Sequence, residues 1–588
     1  MDPITSNEAI KAASQTSTYF LQASLATPGS TRNTTLPVRL EGDSIALDGE
    51  GNIYTAGHAF EVTGSAALIK YNPNGEVQWI KEQGPLYNST SGTGHSLTLQ
   101  YGGGPHRVTV DPSGNPIVIG TFRLGAANAS ASSSHYGDNL CVSKYDPDGN
   151  LSWSKLIVTT LIGSSRPEFF AADITTDDSG NIYGSVQINS YSTSNPGSTW
   201  NSSEAMVFKL NSSGGWNWKI KYGGLGSNAA GRIHVIDEGS SWGPNVYLCT
   251  SAQFPIDSSG NTRMFGHIIR IRSDNGSASY PFLSDGQAHQ HPEIRNSTSS
   301  CYNTPYYGDE LCMDIQFDSN GLPLALIFQN NTATQGAMSC FASGITGNAG
   351  RLILVKFSNT SFTGISWSKM FFCSQVGYSG PYNSGSYRDF GNILMSMTSA
   401  KLCVDSNDNI YVAGTSGIDT NAITRGIITK LDSSGNEVWV RDINTDSSVS
   451  KANYGWRGVT IADMKIDSKD NIHIVGQNAA NVPTANAVRR YIAKLPSNGN
   501  FTGSYDSGCW DIKIPLKPGD TGYSMWDEVG RTTNANADIY NLGYSASRVY
   551  DNFTDAVIID NNNSTYSGQN VPHRNSISSE WTNYYYLI

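Results

Sequence analysis

The sequence predicts an all-β chain: a closed β-propeller of eight four-stranded antiparallel blades, with seven as the alternative count, preceded by a short N-terminal arm. Three observations predict it. A two-part unit recurs at intervals of about 60 to 90 residues. Its strands are apolar on both faces, and a radial stack of sheets covers both. Residues 581–588, WTNYYYLI, are β-forming and apolar, as a strand paired inside a sheet requires, whereas open solenoids end in polar caps.

The unit is clearest at 401–442. KLCV at 401–404 is followed by DSNDNIYVAG at 405–414, then by IITKLDSSGN at 427–436 and Trp439. Each half reads as strand, tight polar turn, strand, so the unit is a four-stranded antiparallel sheet. In NIYVAG, Ile410 and Val412 point to one face and Tyr411 and Ala413 to the other, and both sets need cover. The Gly ending the second strand (Gly57, Gly120, Gly414, Gly476, Gly543) suits a crowded site. The Trp of the fourth strand would bury on the order of 200 Å2 between blades.

Taken in order, unit one carries DGEGNIYTAG at 48–57, ALIKYNPNG at 67–75 and Trp79. Unit two carries DPSGNPIVIG at 111–120, CVSKYDPDGN at 141–150 and Trp153. Unit three has Ile174, DSGNIY at 178–183, VFKL at 207–210 and Trp218. Unit four is degenerate, with IHVI at 233–236, NVYLC at 245–249 and IIRI at 268–271. Unit five has DSNGLPLA at 318–325, LVKF at 354–357 and Trp367; unit six is the stretch above. Unit seven has DSKDNIHIVG at 467–476, IAKL at 492–495 and Trp510. A worn eighth follows, with ADIY at 537–540, Leu542-Gly543, AVII at 556–559 and Trp581. Seven blades result instead if that last unit pairs with residues 36–48 to share one blade.

Residues 1–35 do not match the repeat and are expected to be an arm and linker, with a short helix starting at Ser6 or Asn7; residues 36–588 form the propeller. The net charge of −11 lacks the basic footprint of a nucleic-acid binder. No apolar run is long enough to insert in a membrane. The N-terminus lacks the basic and apolar regions of a secretory signal, so synthesis in a cytoplasm is expected. The eight Cys have no paired spacing and read as free thiols, with Cys141, Cys249 and Cys403 buried in strands.

The halves D-x-x-G-N-I-Y-V-A-G and K-L-D-x-x-G-N-x-x-W resemble the bacterial SBBP-type β-propeller repeat over most of residues 40–510. The resemblance implies the fold and says little about activity. Many proteins of that kind are exported surface proteins. An acidic, Ser/Thr/Asn/Tyr-rich β-chain with a short N-terminal arm also resembles bacteriophage tail and fibre proteins in composition and organisation.

Several residues carry candidate chemistry. A basic residue recurs in strand three: Lys70, Lys144, Lys209, Arg270, Lys356, Lys430 and Lys494. These form either a cationic ring for an anionic ligand, or stems laid over aromatic rings with the charge answered by the turn Asp; the second reading is preferred. The DPDGN and DSSGN turns lack the later ligands of a calcium loop. His289 and His291, followed by Glu293, share a strand face if extended and are the metal candidate; the alternative is a solvated loop, and no cofactor is expected. No nucleophile elbow or Cys/His signature is found. The insertion holding Tyr378, Tyr382, Tyr387 and Arg388 has the Tyr/Ser/Gly/Asn mixture of binding loops.

These features lead to the expectation of a non-enzymatic structural or adhesion protein, a phage tail or fibre component of a virion. Its arm would hold other structural proteins, and its loops would contact a host glycan or receptor. The alternatives are a polysaccharide-acting enzyme with acids at the ring's mouth, or a secreted lectin-like surface protein.

Overall fold

The computed structural model describes residues 19–23, 39–40, 44–60, 66–75, 77–83, 104–124, 137–159, 165–192, 202–222, 228–241, 243–255, 262–283, 310–331, 349–362, 364–373, 400–417, 423–444, 457–479, 488–499, 509–511, 557–559 and 565–567. Every element among them is a strand. Two precede the repeats, β1 (Tyr19–Ala23) and β2 (Arg39–Leu40). Blade one is β3 (Ser44–Leu47), β4 (Ile53–Phe60), β5 (Ala66–Tyr71) and β6 (Val77–Gln83). Blade two is β7 (Gly104–Val110), β8 (Pro116–Leu124), β9 (Gly137–Tyr145) and β10 (Leu151–Thr159). Blade three is β11 (Ser165–Thr176), β12 (Ile182–Ser192), β13 (Ser202–Leu210) and β14 (Trp216–Tyr222). Blade four is β15 (Asn228–Ile236), β16 (Asn245–Pro255), β17 (Thr262–Arg272) and β18 (Ala278–Leu283). Blade five is β19 (Glu310–Phe317), β20 (Pro323–Asn331), β21 (Ala349–Phe357) and β22 (Ile365–Cys373). Blade six is β23 (Lys401–Val404), β24 (Ile410–Gly417), β25 (Ile423–Leu431) and β26 (Glu437–Asn444). Blade seven has β27 (Arg457–Ile466), β28 (Ile472–Ala479) and β29 (Val488–Leu495); β30 (Cys509–Asp511), β31 (Val557–Ile559) and β32 (Thr565–Ser567) follow.

These are seven four-stranded antiparallel blades in a ring, a β-propeller with the alternative count rather than eight. The fourth strand of blade seven is β1, antiparallel to β29 with Tyr19 opposite Lys494 and Ala23 opposite Arg490. Part of the expected arm therefore completes a blade; the helix expected near Ser6 lies outside the described residues. The strand of Trp510, expected to finish unit seven, instead runs parallel to β26 of blade six. The AVII stretch of the worn eighth unit contributes β31, which pairs in parallel with β10 of blade two. Of the thiols expected to be buried in strands, Cys249 and Cys403 are, whereas Cys141 is only partly buried; Cys312 is buried in β19 as well.

The turns explain why the strands start where they do. In blade one, Asp48 Oδ1 accepts from the backbone of Glu50 and Asn52, and the Asn52 amide donates to Oδ2. The same ring of bonds recurs at Asp111, Asp177, Asp405 and Asp467. It satisfies backbone groups that a tight turn would otherwise leave to water. The next-to-last turn residue is left-handed, which glycine accepts without a Cβ clash: Gly51, Gly114, Gly180 and Gly321. Blades six and seven place Asp408 (φ 60) and Asp470 (φ 61) there instead. Their carboxylates accept the N–H and hydroxyl of Ser319 and Ser406 in the preceding blade, at 2.7–2.9 Å.

Between the blades lie dry apolar layers. Tyr54, Leu68, Val108 and Val118 pack between blades one and two, and Leu324, Leu354, Ile410 and Val412 between blades five and six. Because neighbouring strands are antiparallel, the 1–2 and 3–4 turns share one face of the ring. The 2–3 connections and the links between blades share the other. The insertions 84–103, 284–309, 332–348 and 374–399 start and end on that second face.

Candidate functional site

Two sets of polar side chains stand out. The first locks the tight-turn face. Strand-three lysines reach a backbone carbonyl in the 3–4 turn of the next blade, closest at Lys70 to Pro147 (3.0 Å), Lys209 to Ser273 (3.0 Å) and Lys430 to Ser497 (3.0 Å). The strand-four indole donates to the same carbonyl, from Trp79 (2.9 Å), Trp218 (2.9 Å) and Trp439 (3.3 Å). Each of these ammonium groups also lies over a tyrosine ring, 5.0–5.5 Å from the centroid, at Tyr54, Tyr183 and Tyr411. Turn carboxylates answer the charge, as in Lys144–Asp111 (2.7 Å), Lys356–Asp318 (2.9 Å) and Lys430–Asp405 (3.6 Å). The recurring cations are thus spent between blades, and the anionic-ligand reading of them falls away.

The same carboxylates hold the tyrosines. Tyr54, Tyr183 and Tyr411 donate to Asp48, Asp177 and Asp405, and Tyr247 of the degenerate blade donates to Glu238. Burial first, then the adjacent carboxylate, raises each phenol's pKa. Blade seven substitutes His473, whose Nε2 donates to Asp467 Oδ2 at 2.9 Å. The Asp467 pKa is lowered: burial opposes this, and the bonds from His473 and Asn471 outweigh it.

The second set encircles the axis. Four residues before each turn Asp, the innermost strands carry Ser44, Arg107, Asp173, Asp314, Lys401 and Asp463, with Arg232 at the matching place in blade four. The pairing supports the equivalence, since Ser44, Asp173, Asp314, Lys401 and Asp463 face Ala56, Ser185, Leu326, Ala413 and Val475 of strand two. In β7, β11, β15, β19 and β27 a break in register falls just before or at this residue, and such bulges re-aim a side chain. None of the seven is more than 8% exposed.

From blade two to blade seven the charge alternates: Arg107, Asp173, Arg232, Asp314, Lys401, Asp463. Each carboxylate accepts a backbone N–H from the next blade, Asp173 from Ile233 (3.1 Å), Asp314 from Leu402 (3.0 Å) and Asp463 from Ile45 (3.1 Å). Cations fill the intervals: Arg232 Nη1 donates to Asp173 at 2.9 Å, and Arg107 Nε to the Ala172 carbonyl at 2.8 Å. Arg232 Nη2 reaches across the axis to 3.6 Å from Asp463 Oδ1, and Lys401 Nζ of the adjacent blade lies 3.9 Å from the same oxygen. Burial opposes the Arg232 charge, and Asp173, Asp463 and Asp314 outweigh it, so its pKa is raised.

Seven is odd, so strict alternation fails at one joint, and that joint is Ser44. Its hydroxyl donates to Asp463 (3.1 Å) and accepts from the N–H of Val108 (3.2 Å). A hydroxyl can do both, which neither a carboxylate nor a cation can. The axial acids are therefore bonded and buried, and none presents a carboxylate for acid–base chemistry at this level. Sequence reasoning missed this ring because its positions share no residue type. The signal available was a charge four residues before the turn Asp in five of the six units that carry that Asp: Arg107, Asp173, Asp314, Lys401 and Asp463.

Tyr378, Tyr382, Tyr387 and Arg388 lie outside the described residues, in the segment between β22 and β23; His289 and His291 also lie outside them, between β18 and β19. Those two segments flank blade five and leave the ring on the long-connection face. Among the described residues no group of three or more His, Cys, Asp or Glu is placed to hold a metal ion.

No family model matches the chain, and no curated protein does. Solved structures do. One is a polysaccharide lyase, an ulvan lyase, with 11% identity, TM-score 0.40, and 80% of this chain and 94% of that chain covered. Another is the α-L-arabinanase of Penicillium chrysogenum, with 9% identity, TM-score 0.33, and 82% and 98% covered. A third is the β-propeller domain of the trilobed protease from Pyrococcus furiosus, with 8% identity, TM-score 0.34, and 80% and 97% covered. A Trypanosoma rangeli sialidase and a Bacillus halodurans xylosidase are also similar. The expectation that the chain is not an enzyme is corrected here, because these similar structures are mostly propeller enzymes. At such identities the likeness is one of fold and assigns no reaction. No family match bears on the SBBP-type or phage-tail resemblance, and the feature in common is the propeller.

Proposed function

We propose that the chain is a polysaccharide-acting enzyme on a propeller scaffold, with its substrate held on the face where the long connections gather. The observation that carries this reading is the asymmetry of the ring. On one face, short turns are bonded to one another blade by blade. On the other, the insertions 84–103, 284–309, 332–348 and 374–399 start and end. Binding residues sit disproportionately on loops carried by a rigid scaffold. The insertion 374–399 supplies Tyr378, Tyr382 and Tyr387, whose rings suit stacking on sugars, and Arg388, which suits an acidic sugar. Because the axial acids are buried and bonded, the reacting carboxylates or bases come from the long connections, with Glu293 beside His289 and His291 as one source. The carbohydrate enzymes among the similar structures are compatible with this reading without naming a substrate.

The test is incubation of the full chain with neutral and acidic polysaccharides, following new reducing ends and the ultraviolet absorbance of unsaturated products. Hydrolysis raises the first alone, and a lyase raises both. Replacing 374–399 with a short Gly/Ser linker is expected to abolish turnover while leaving the melting temperature within a few degrees. Failure of the whole panel, in cleavage and in binding, would remove this reading.

A further inference from the structure

One joint of the ring brings two thiols together. Cys249 lies in β16, the second strand of blade four, and Cys312 in β19, the innermost strand of blade five. Both are free, at 0% and 4% exposure, and both belong to the apolar layer between these blades, with Tyr247, Ile268, Ile315 and Ala325. Cys249 and Ser251 share a face of β16, and the Ser251 hydroxyl accepts the backbone N–H of Cys312 at 3.3 Å. That face therefore looks onto the start of β19. Gly231 in β15 marks the same point: a Cβ there would lie 2.6 Å from the Cys249 carbonyl oxygen and 3.3 Å from that of Cys312. Burial first, then the hydrogen bond and charge of the Cys312 thiol, raise the Cys249 pKa, which agrees with two neighbouring sulfurs.

The repeat does not ask for cysteine here. Cys249 stands four residues after Asn245, and Cys312 two before Asp314. The same places hold Ser185 and Ala230 at the joint of blades three and four, and Ala413 and Ile461 at the joint of blades six and seven. Packing is thus met by other side chains, and two thiols on opposite sides of one joint point to their own chemistry. A disulfide needs backbones that come close and side chains that converge, and this joint supplies both.

We propose that Cys249 and Cys312 are a disulfide site that staples blade four to blade five when the chain folds in the presence of a small-molecule disulfide. The thiolate of one cysteine displaces half of that disulfide, giving a mixed disulfide and one released thiol. The second cysteine thiolate attacks the mixed disulfide, the Cys249–Cys312 bond forms, and the second small thiol leaves. The two protons lost by the cysteines go to the two released thiols, and the two electrons reduce the oxidant. Both sulfurs are buried in the finished ring, so the exchange precedes closure of the joint. The bond holds β19, which carries Asp314, against blade four, whose His234 Nε2 lies 3.2 Å from that carboxylate. It also closes a covalent loop around residues 250–311, which include the insertion 284–309. The site is independent of what the long-connection face binds.

The test is to unfold the full chain with reductant, refold it in a mixture of reduced and oxidised glutathione, alkylate the remaining thiols and map the peptides without reduction. Chymotrypsin separates Cys312 from Cys301 and Cys340 by cutting after Tyr307 and Phe317. The expected result is a linked pair of peptides holding Cys249 and Cys312, and a melting temperature a few degrees above that of the chain refolded with reductant alone. Cys249→Ala, which places there the residue of blades one and six, is expected to melt equally under both conditions. Cys249 and Cys312 both alkylated, either one left capped by glutathione, or either joined to a different cysteine overturns the proposal. So does a gap in melting temperature that Cys249→Ala leaves unchanged. If Cys249→Ala does not fold, the peptide map of the unaltered chain decides alone.

Discussion

The tight-turn lock and the axial ring both join blades through buried charge, and they do it by opposite rules. At the lock one kit recurs from joint to joint, a lysine and an indole on one turn carbonyl, as at Pro147, Ser273 and Ser497, with a turn carboxylate beside the lysine at Lys430. At the axis equivalent positions hold different residues, and neighbours are complementary instead of alike. The lock joins each blade to the next in the same direction, so a single solution can be copied indefinitely. The ring must come back to its start, so its residues depend on how many blades there are. Repetition builds a blade-to-blade joint; alternation with one amphoteric hydroxyl suits a ring of seven.

The sharpest way to break that comparison is Ser44→Asp. It sets a second carboxylate against Asp463 and removes a donor, and an uncompensated buried charge costs about 3–5 kcal/mol. Chemical denaturation measures it, and a loss under about 1 kcal/mol would mean that alternation does not order the ring. Ser44→Ala, which removes both hydrogen bonds without adding charge, is expected to cost about 1–3 kcal/mol in the same measurement.

A second test uses pH. Burial pushes the imidazole of His267, in β17 of blade four, down to about 3. Its folded pKa lies below the unfolded value, so the neutral form is favoured on folding. The stability it carries is full above about pH 6.5 and is lost as pH falls towards 3, at about 1.4 kcal/mol per pH unit. His267→Asn is expected to flatten that slope between pH 6 and pH 4, and an unchanged slope would place the acid sensitivity elsewhere.

At the lock, Lys430→Met keeps the stem over Tyr411 and removes the bonds to Ser497 and Asp405. Because Trp439 still donates to the same carbonyl, a loss of about 1–2 kcal/mol is expected, smaller than that of Ser44→Asp. A larger loss than at the axis would reverse the ranking of the two regions. The smallest effect is expected from Asp408→Gly. It relieves a left-handed residue and gives up two bonds from Ser319, so the change should stay within about 1 kcal/mol, with Asp408→Ala worse because it keeps the strain and loses the bonds.

The propeller, the four strands per blade and the inward pairing of Lys430 with its turn were legible in the sequence, because each is a local pattern copied along the chain. DSNDNIYVAG announces turn, strand and two apolar faces within ten positions, and nothing distant is needed to read it. The blade count was left between eight and seven, because the fourth strand of blade seven comes from Tyr19–Ala23, and that pairing spans nearly the whole described repeat region. Nor was the axial ring, since Asp463 meets Ser44, Arg232 and Lys401 only after the strands have curved around a common centre. Local hydrogen-bonding and burial preferences act between near neighbours and leave their mark on every unit. Charge complementarity across the axis acts between residues hundreds of positions apart, and only the assembled ring brings them within reach.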